Sequence, residues 1–268
     1  MSYFSQLDRR AQQVNSLLCI GLDPHVQDLE TPTPEAVRAF CMRLIDAAAD
    51  LALAFKPNIA FFEVFGAQGI SVLQEVIAAI PADVPVILDA KRGDIASTAQ
   101  AYAQAVFQVI GAGAVTLNPY LGYDSLQPFL SDPQRGAFLL CKTSNPGAAD
   151  IQDLNLSDGV GSGSRTVFEK IAELAQQWNT QDNIGLVVGA THPEALQRVR
   201  SLAPGLWILA PGVGTQGGDL RAALQAGLRP DGLGMLIPVS RVISRVANPR
   251  QAADQLRNKI NHERAELP

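Results

Sequence analysis

The stretch VPVILDAKRGDIASTAQAY (84–102) contains, in one unit, the pattern that predicts the fold. It begins as an apolar run, passes through two acidic and two basic residues between Asp89 and Asp94, and continues as an alanine-rich segment. A nearly continuous apolar run is typical of a strand buried on both faces, as in a parallel sheet covered by helices. The stretch therefore predicts a strand, a charged strand end and a following helix.

The same strand-then-helix pattern recurs about eight times along the chain. The apolar runs end in Gly, Pro, Asp or Asn and occupy 16–23, 53–62, 84–91, 113–120, 137–145, 184–191, 206–213 and 231–240. An N-cap followed by proline marks several helix starts, at Thr33–Pro34, around Thr191 and Pro193, and at Asn248–Pro249. Eight such units predict an α/β fold, a (β/α)8 TIM barrel formed as a single domain over 1–268. A doubly wound open sheet, which uses similar strands in another order, is the alternative.

Composition excludes several classes of protein. With 47% hydrophobic residues, 18% charged residues and a net charge of −5, the chain is expected to be a soluble globular protein without a nucleic-acid-binding surface. The N-terminus carries charge where a signal peptide is apolar, and no apolar run is long enough to span a membrane, so a cytoplasmic location is expected. Cys19, Cys41 and Cys141 lie in apolar stretches without metal-ligand spacing, which predicts reduced core residues.

One long irregular segment interrupts the regular pattern. NPGAADIQDLNLSDGVGSGS (145–164) is rich in Gly, Ser and Asp and follows the fifth predicted strand. A loop of this length in a compact domain is usually functional, most often as a lid, or else mobile. We expect a long loop here and assign it no role.

Active sites of (β/α)8 barrels lie at the C-terminal ends of the strands. This end of the barrel is called the mouth below. The polar residues that end the predicted strands are therefore the candidates for a functional site: Asp23, Lys56, Asp89, Lys91, Asn118, Lys142, Ser144, Thr191, Gln216 and Arg241.

The charges in the opening stretch can be placed by the period of a strand. Side chains two residues apart share a face, so Asp89 and Lys91 are expected to point into the mouth, with Lys56 beside them on the neighbouring strand. Asp94 precedes the next helix and Thr98 follows one turn later; taken alone, Asp94 is best explained as a helix N-cap. An Asp89–Lys91 pair can also be purely structural. Several charges at the end of an apolar strand are nevertheless costly to bury unless function requires them, so the set is predicted to be functional.

A glycine-rich segment late in the chain indicates phosphate binding. PGVGTQGG (211–218) formally matches the dinucleotide pattern G-x-G-x-x-G, but it follows the seventh strand rather than the first. In a (β/α)8 barrel the loops after strands seven and eight commonly bind phosphate through backbone N–H groups. Arg241, at the end of the eighth strand, adds a cation suited to a phosphate monoester, although a surface salt bridge is the alternative for this residue. A phosphorylated small molecule is the predicted substrate.

Six segments together resemble the orotidine 5′-phosphate decarboxylase family, in its longer bacterial-type subfamily. They are LD (22–23), FKPN (55–58), LDAKRGDI (88–95), KTSNPG (142–147), PGVGTQGG (211–218) and SRVI (240–243). The D-x-K-x-x-D signature between an apolar strand and a helix is highly specific, and the resemblance covers nearly the whole chain. It implies that orotidine 5′-phosphate is converted to UMP and carbon dioxide in pyrimidine biosynthesis, without a metal or an organic cofactor.

The resemblance also implies roles for individual residues. The catalytic residues are Lys56, Asp89, Lys91 and Asp94, called the charged array below, with Lys91 as the expected proton donor to C6 of a carbanion. The enzyme is expected to be a homodimer in which Asp94 and Thr98 reach into the partner's site.

The remaining implied roles concern substrate binding. Asp23 and Lys56 match residues that bind the ribose hydroxyls, and Ser144 matches a serine at the pyrimidine ring. Gln216 and Arg241 match the residues that bind phosphate.

Two other classes of function stay open. One is an aldolase or decarboxylase on a related barrel that acts on a sugar phosphate, either with Mg²⁺ or through a Schiff base at Lys91. Lys56 argues against the Mg²⁺ form, because a cation already occupies the space between the acidic strand ends. The other is a non-catalytic nucleotide-binding barrel.

Overall fold

A computed structural model describes residues 1–156, 165–213 and 217–267. The strands in chain order are β1 (Leu18–Leu22), β2 (Ala54–Pro57), β3 (Ile87–Arg92), β4 (Ala114–Leu117), β5 (Gly136–Lys142), β6 (Asn155–Leu156), β7 (Arg165–Thr166), β8 (Ile184–Val188), β9 (Ile208–Leu209) and β10 (Met235–Val239). Within the described residues, eight of them form one parallel sheet in the order β2-β1-β10-β9-β8-β5-β4-β3.

The sheet closes on itself into a barrel. Its two edge strands, β2 and β3, are joined by parallel bridges between Phe55 and Val86 and between Asn58 and Asp89. The backbone N–H of Phe55 also donates to the carbonyl of Pro85 at 3.0 Å. The predicted (β/α)8 barrel is therefore confirmed and the open doubly wound sheet is excluded.

Helices precede, connect and follow the barrel strands. They are α1 (Tyr3–Val14), α2 (Pro34–Ala48), α3 (Ala60–Glu63), α4 (Gly66–Ala79), α5 (Ala96–Gln104), α6 (Tyr123–Leu130), α7 (Ala149–Gln152), α8 (Val167–Trp178), α9 (Pro193–Leu202), α10 (Leu220–Gly227), α11 (Arg241–Ser244) and α12 (Pro249–Ala265). Single 3₁₀ turns lie at Val26–Asp28, Pro119–Leu121 and Pro146–Ala148, and a π-helical turn at Ala105–Val109 follows α5.

Two of the three predicted helix caps are present. The Thr33 hydroxyl accepts from the N–H of Ala36 at 3.2 Å, and the Asn248 side chain accepts from the N–H of Gln251 at 3.1 Å. The prediction around Thr191 is wrong, because the N-cap of α9 is His192, whose side chain makes no capping hydrogen bond. Pro193 still occupies the first turn of α9, so the start of the helix is fixed by proline without a side-chain cap.

The helix α1 covers the end of the barrel opposite the mouth. Its apolar face is buried, with Tyr3, Phe4 and Leu7 at most 2% exposed. The ring of Phe4 packs edge-on against Phe138 of β5, with ring centroids 5.4 Å apart. A side chain at Gly136 would overlap the Tyr3 ring, so glycine is required where the helix crosses the strand ends. The barrel core therefore continues into this helix.

The segment predicted as a long loop, 145–164, is partly regular. It contains the 3₁₀ turn, α7 and strand β6, which pairs antiparallel with β7. Residues 157–164 lie outside the described residues. The local pattern failed here because four- and two-residue elements are too short to show a periodicity.

Two further expectations can be compared with the fold. The cysteines are buried and unpaired, as predicted for core residues. No helix in the described residues is long and apolar enough to cross a membrane.

Candidate active site

A cavity of about 360 Å³ opens at the mouth of the barrel. It lies among the ends of β1, β2, β3 and β10 and the segment after β9. Its charged and polar lining residues are Asp23, His25, Lys56, Asn58, Asp89, Ser240 and Arg241. Four residues predicted from the sequence, Asp23, Lys56, Asp89 and Arg241, thus border one cavity.

Asp89 stands between two ammonium groups. Its Oδ2 accepts from Nζ of Lys56 at 3.1 Å, and its Oδ1 accepts from Nζ of Lys91 at 2.6 Å. The side chains of Lys56 and Asp89 are 10% and 13% exposed, whereas that of Lys91 is 51% exposed. The carboxylate and one lysine are therefore largely removed from water, whereas the second lysine is half exposed to solvent and is not one of the residues that line the cavity.

The two buried charges stabilise each other. Burial alone would raise the pKa of Asp89, but the positive charges of Lys56 and Lys91 and their hydrogen bonds lower it to about 2. Burial would likewise lower the pKa of Lys56, but the carboxylates of Asp23 and Asp89 outweigh this effect and hold that pKa above its ordinary value. Both groups are therefore charged at neutral pH despite their burial.

Thr116 of β4 supports this pair and was not predicted from the sequence. Its Oγ1 lies 2.9 Å from Oδ1 of Asp89, and it accepts from the backbone N–H groups of Ala90 at 3.0 Å and Lys91 at 2.9 Å. The residue is 1% exposed. The available signal was a hydroxyl within the otherwise apolar run AVTL (114–117), where a buried polar group needs partners.

The backbone at Lys91 departs from a regular strand. Its φ is +46°, in the left-handed region, and the pairing of β3 with β4 shifts register between Leu88 and Arg92. Strand alternation therefore predicts the correct contact between Asp89 and Lys91 but not the backbone that produces it. At this irregularity Lys91 contacts Asp89, which lines the cavity, and such irregularities are common beside functional sites.

Asp94 is not the helix N-cap that its sequence position suggests. The helix α5 starts at Ala96 with Ile95 as N-cap, and Oδ1 of Asp94 accepts from the N–H of Ile95 at 2.8 Å. Within the described residues, no hydrogen bond or ion pair joins Asp94 to Lys56 or Lys91. Thr98 lies exposed in the first turn of α5, and neither Asp94 nor Thr98 lines the cavity.

Gly212, which follows β9, lines the cavity, and its carbonyl is paired with Gly218 later in the same glycine-rich segment. Gly212 and Gly217 have φ values of +109° and +81°, and the N–H of Gly218 donates to the carbonyl of Gly212 at 3.0 Å. A Cβ at Gly218 would lie 2.7 Å from that carbonyl oxygen, so this close contact requires glycine. Gln216 lies outside the described residues, and Arg241 is an exposed residue at the start of α11.

The end of β5 carries two of the candidates in different settings. Nζ of Lys142 is 2.6 Å from Oδ1 of Asp153, and the Lys142 side chain is 6% exposed, so its charge is paired away from the cavity. Ser144 packs on Gly189, where a Cβ would lie 3.0 Å from Cβ of Ser144. Ser144 is not one of the residues that line the cavity.

Two polar atoms at the cavity are buried without a partner in the described residues. They are Oδ1 of Asp23 and Oγ of Ser240. Between them, a Cβ on Gly21 would lie 2.9 Å from both Oδ2 of Asp23 and Cβ of Ser240, so glycine keeps this wall of the cavity open. Unpaired buried acceptors suit a ligand that brings hydroxyl groups. The described residues contain no group of three His, Cys, Asp or Glu side chains placed to hold a metal ion.

The fold and the site together define a class of protein: a closed (β/α)8 barrel with buried ion pairs at the mouth and glycines that follow β9 beside them. Within that class, the chain belongs to the orotidine 5′-phosphate decarboxylase / HUMPS family, whose sequence model matches residues 16–256. It is 49% identical to orotidine 5′-phosphate decarboxylase of Roseiflexus castenholzii, over 97% of this chain and 98% of the relative. It is 47% identical to the protein of the same name from Thermomicrobium roseum, over 100% and 98%.

A solved structure gives the same assignment. OMP decarboxylase from Leishmania donovani is 51% identical, covers 100% of both chains and superimposes with a TM-score of 0.90. The family resemblance seen in the sequence is confirmed.

Proposed function

We propose that this protein is a carboxy-lyase that converts orotidine 5′-phosphate to UMP and carbon dioxide in pyrimidine biosynthesis. The observation that carries the proposal is the Asp89 carboxylate held between the ammonium groups of Lys56 and Lys91 at the barrel mouth. The relatives named as decarboxylases match the chain over essentially its full length, which supports a shared reaction. We also propose that residues 1–268 act as one domain in the cytoplasm.

Lys91 is the proposed proton donor. Loss of carbon dioxide leaves an electron pair at C6 of the pyrimidine, and no neighbouring carbonyl is positioned to take it up as an enolate. A fixed ammonium group beside C6 stabilises that carbanion and then protonates it, which yields UMP. The Lys91 side chain suits this role because it is half exposed at the mouth while its Nζ is held by Asp89.

Asp89 is proposed to act on the substrate carboxylate. Two negative charges about 4 Å apart repel each other by about 4 kcal/mol at an effective dielectric constant of about 20. This repulsion disappears as neutral carbon dioxide leaves, so it favours the transition state over the bound substrate. The lowered pKa of Asp89 supports the role, because the residue must stay ionised beside another anion. Stabilisation of the carbanion by Lys91 carries more weight in this scheme.

The nucleotide is proposed to bind across the mouth. Asp23 and Lys56 contact the ribose hydroxyls, and the unpartnered Oδ1 of Asp23 is a suitable acceptor for one of them. Ser144 contacts the pyrimidine ring, and Gln216 and Arg241 bind the phosphate beside the paired glycines Gly212 and Gly218. Phosphate binding far from C6 contributes energy that holds the site in its reactive geometry.

The working form is proposed to be a homodimer with shared sites, in which Asp94 and Thr98 enter the partner's site. Exposed apolar side chains lie near this edge of the mouth; Ile95 is 54% exposed, Tyr120 is 80% exposed and Leu121 is 47% exposed. We propose that these three side chains contribute to a contiguous apolar patch that the partner covers, since such patches mark protein interfaces. In such a dimer each subunit would supply its Asp94 to the site of its partner. The Asp94 carboxylate has acceptor capacity for this role beyond its hydrogen bond from the N–H of Ile95.

The proposed reaction uses no metal or organic cofactor, because fixed charges do the work. The comparisons give no support to the sugar-phosphate alternative, since the relatives described above are named as decarboxylases of orotidine 5′-phosphate.

The test is the ultraviolet absorbance change of orotidine 5′-phosphate on addition of purified protein in EDTA. Rapid conversion to UMP is expected for the wild type, and Lys91→Ala is expected to lower kcat by at least about 10³-fold. Lys170→Ala is the matched control, because Lys170 lies on the outer helix α8 and contacts only Glu173 at 3.9 Å among the described ion pairs. Absence of conversion by the wild type would refute the assignment. Activity that requires Mg²⁺, or a borohydride-trapped adduct at Lys91, would favour an aldolase instead.

A further inference from the structure

We propose that Thr116 is a positioning residue for decarboxylation: its single hydroxyl fixes both the carboxylate of Asp89 and the backbone of Lys91. This inference rests on the proposed function, since it assigns Thr116 a role through the two residues that act on the substrate. Thr116 itself does not line the cavity, so it contacts no substrate and acts through its neighbours.

The hydrogen bonds of Thr116 use the full capacity of a hydroxyl group. A threonine hydroxyl has one hydrogen to donate and two lone pairs to accept. The N–H groups of Ala90 and Lys91 occupy the two lone pairs, at 3.0 and 2.9 Å. The single hydrogen is therefore left for Oδ1 of Asp89, at 2.9 Å. The orientation of the hydroxyl is thus fixed, and it requires an accepting oxygen on Asp89.

The same contacts explain the unusual backbone of β3. A residue with a Cβ rarely adopts a positive φ, and Lys91 does so at +46°. Two successive N–H groups that converge on one oxygen are a known product of a left-handed residue in a turn or bulge. With the Thr116 oxygen in place, both N–H groups are satisfied although the sheet pairing shifts register between Leu88 and Arg92. The threonine therefore stabilises the conformation that aims Lys91.

Asp89, Lys91 and Thr116 are coupled through one atom, Oδ1 of Asp89. Oδ1 of Asp89 receives hydrogen bonds from both Thr116 and Nζ of Lys91. Thr116 thus holds the backbone of Lys91, the residue that carries the proposed proton donor. It also holds the side-chain carboxylate of Asp89, which orients that donor. Since Thr116 is 1% exposed, water cannot replace the hydroxyl without a rearrangement of the β3–β4 contact.

Two substitutions separate the hydroxyl from the shape of the side chain. Thr116→Val keeps the β-branched shape and removes the hydroxyl. The variant therefore loses the donor to Asp89 and the oxygen that accepts from two buried N–H groups. Thr116→Ser keeps the hydroxyl and removes a methyl group. Val115→Ala is the matched control for lost packing, because Val115 is also fully buried in β4 but points to the opposite face.

The experiment measures kcat, KM and UMP affinity for the full-length variants. Thr116→Val is expected to lower kcat by about 10- to 100-fold while KM and UMP affinity change by less than about threefold, because misplacement at the reacting atoms affects the transition state and leaves the phosphate and ribose contacts in place. Thr116→Ser is expected to regain kcat to within about threefold of wild type. Val115→Ala is expected to lower the thermal midpoint without this loss of kcat.

Several outcomes would overturn the inference. A kcat for Thr116→Val within twofold of wild type, or an equal loss of kcat in Thr116→Ser, would show that the hydroxyl does not position the pair. If Thr116→Val does not fold, Thr116→Cys, with a much weaker donor and acceptor of similar size, is expected to show the same loss. If the wild type does not decarboxylate orotidine 5′-phosphate, the proposed function fails, and crystal structures decide the positioning claim separately. Lys91 is expected to leave its left-handed conformation in Thr116→Val and to keep it in Thr116→Ser.

Discussion

Nζ of Lys91 lies 2.6 Å from Oδ1 of Asp89, two residues earlier on the same strand, although the strand is irregular between them. The contact joins a half-exposed cation to a carboxylate whose other oxygen is held by the buried Lys56. The Asp89 carboxylate therefore orients Nζ of Lys91, the proton donor proposed for C6, before any substrate binds. Such preorganisation is the main source of rate enhancement when a reaction depends on electrostatic stabilisation.

The buried cation gives a prediction about stability. Asp89→Asn removes the charge that faces Lys56, whose side chain is 10% exposed, and leaves that ammonium with less compensation. The variant is expected to lose about 3 kcal/mol in the free energy of unfolding, measured by urea denaturation at pH 7. Asp50→Asn is the control: Asp50 pairs with Arg250 on the surface, where both side chains are more than half exposed, and its loss is expected to cost less than about 1 kcal/mol. Equal losses in the two variants would contradict the prediction.

Acid should reduce the contribution of Asp89 to the free energy of unfolding. Its pKa is lowered from the ordinary 3.8 to about 2 in the folded protein, so the unfolded state binds the proton more readily. The resulting stabilisation is fully present above about pH 5, is worth about 2 kcal/mol there, and is lost as the pH falls towards 2. The difference in unfolding free energy between wild type and Asp89→Asn is therefore expected to narrow by about 1 kcal/mol between pH 6 and pH 3. A difference that stays constant or widens would show that Asp89 is not ionised in the folded state with a lowered pKa.

Gly21 should be essential for ligand binding. A methyl group there would lie 2.9 Å from both Oδ2 of Asp23 and Cβ of Ser240, in the wall of the cavity. Gly21→Ala is expected to weaken UMP binding by about tenfold or more, equivalent to about 1.4 kcal/mol, as measured by calorimetry. Gly205→Ala is the control, because no atom lies within 4 Å of a Cβ at that position, and it should bind UMP like the wild type. Unchanged affinity in Gly21→Ala would place the nucleotide elsewhere.

Shared sites can be tested by mixing two inactive variants. Asp94→Ala and Lys91→Ala, refolded together, should recover about one quarter of wild-type activity, because a mixed dimer regains one intact site when Asp94 acts in the partner's site. Lys56→Ala mixed with Lys91→Ala should recover none, since both lysines contact Asp89 of their own chain. If the first mixture stays as inactive as the second, Asp94 serves its own subunit or has no catalytic role.

Much of this arrangement follows from local sequence, and the rest depends on contacts between strands. The apolar runs located all eight barrel strands, because buried parallel strands need such runs; β9 is only Ile208–Leu209 within the predicted 206–213. Alternation along β3 also predicted that Asp89 and Lys91 would meet. The left-handed backbone at Lys91 was not predictable, since it depends on Thr116, which lies 25 residues further along the chain.

Asp94 shows the limit of capping rules. The residue type favours an N-cap, but Ile95 remains extended, with φ −109° and ψ 157°, and the helix starts one residue later. The preference for aspartate at helix N-caps is worth about 1 kcal/mol, and the geometry of the preceding bulge and turn outweighs it. Local preference did not decide this position, because the extended backbone of Ile95 places the start of the helix at Ala96.

The N-terminal helix α1 limits where substrate can enter the enzyme and where products can leave it. Its buried face, with Tyr3 set against Gly113 and Gly136 and Phe4 against Phe138, seals one end of the barrel. In the described parts of the chain, the cavity that holds Asp89 opens at the other end. Substrate, carbon dioxide and UMP are therefore expected to pass through this same opening. A nucleotide that is still bound at this opening would obstruct the release of carbon dioxide, and rebinding of UMP would block the next turnover.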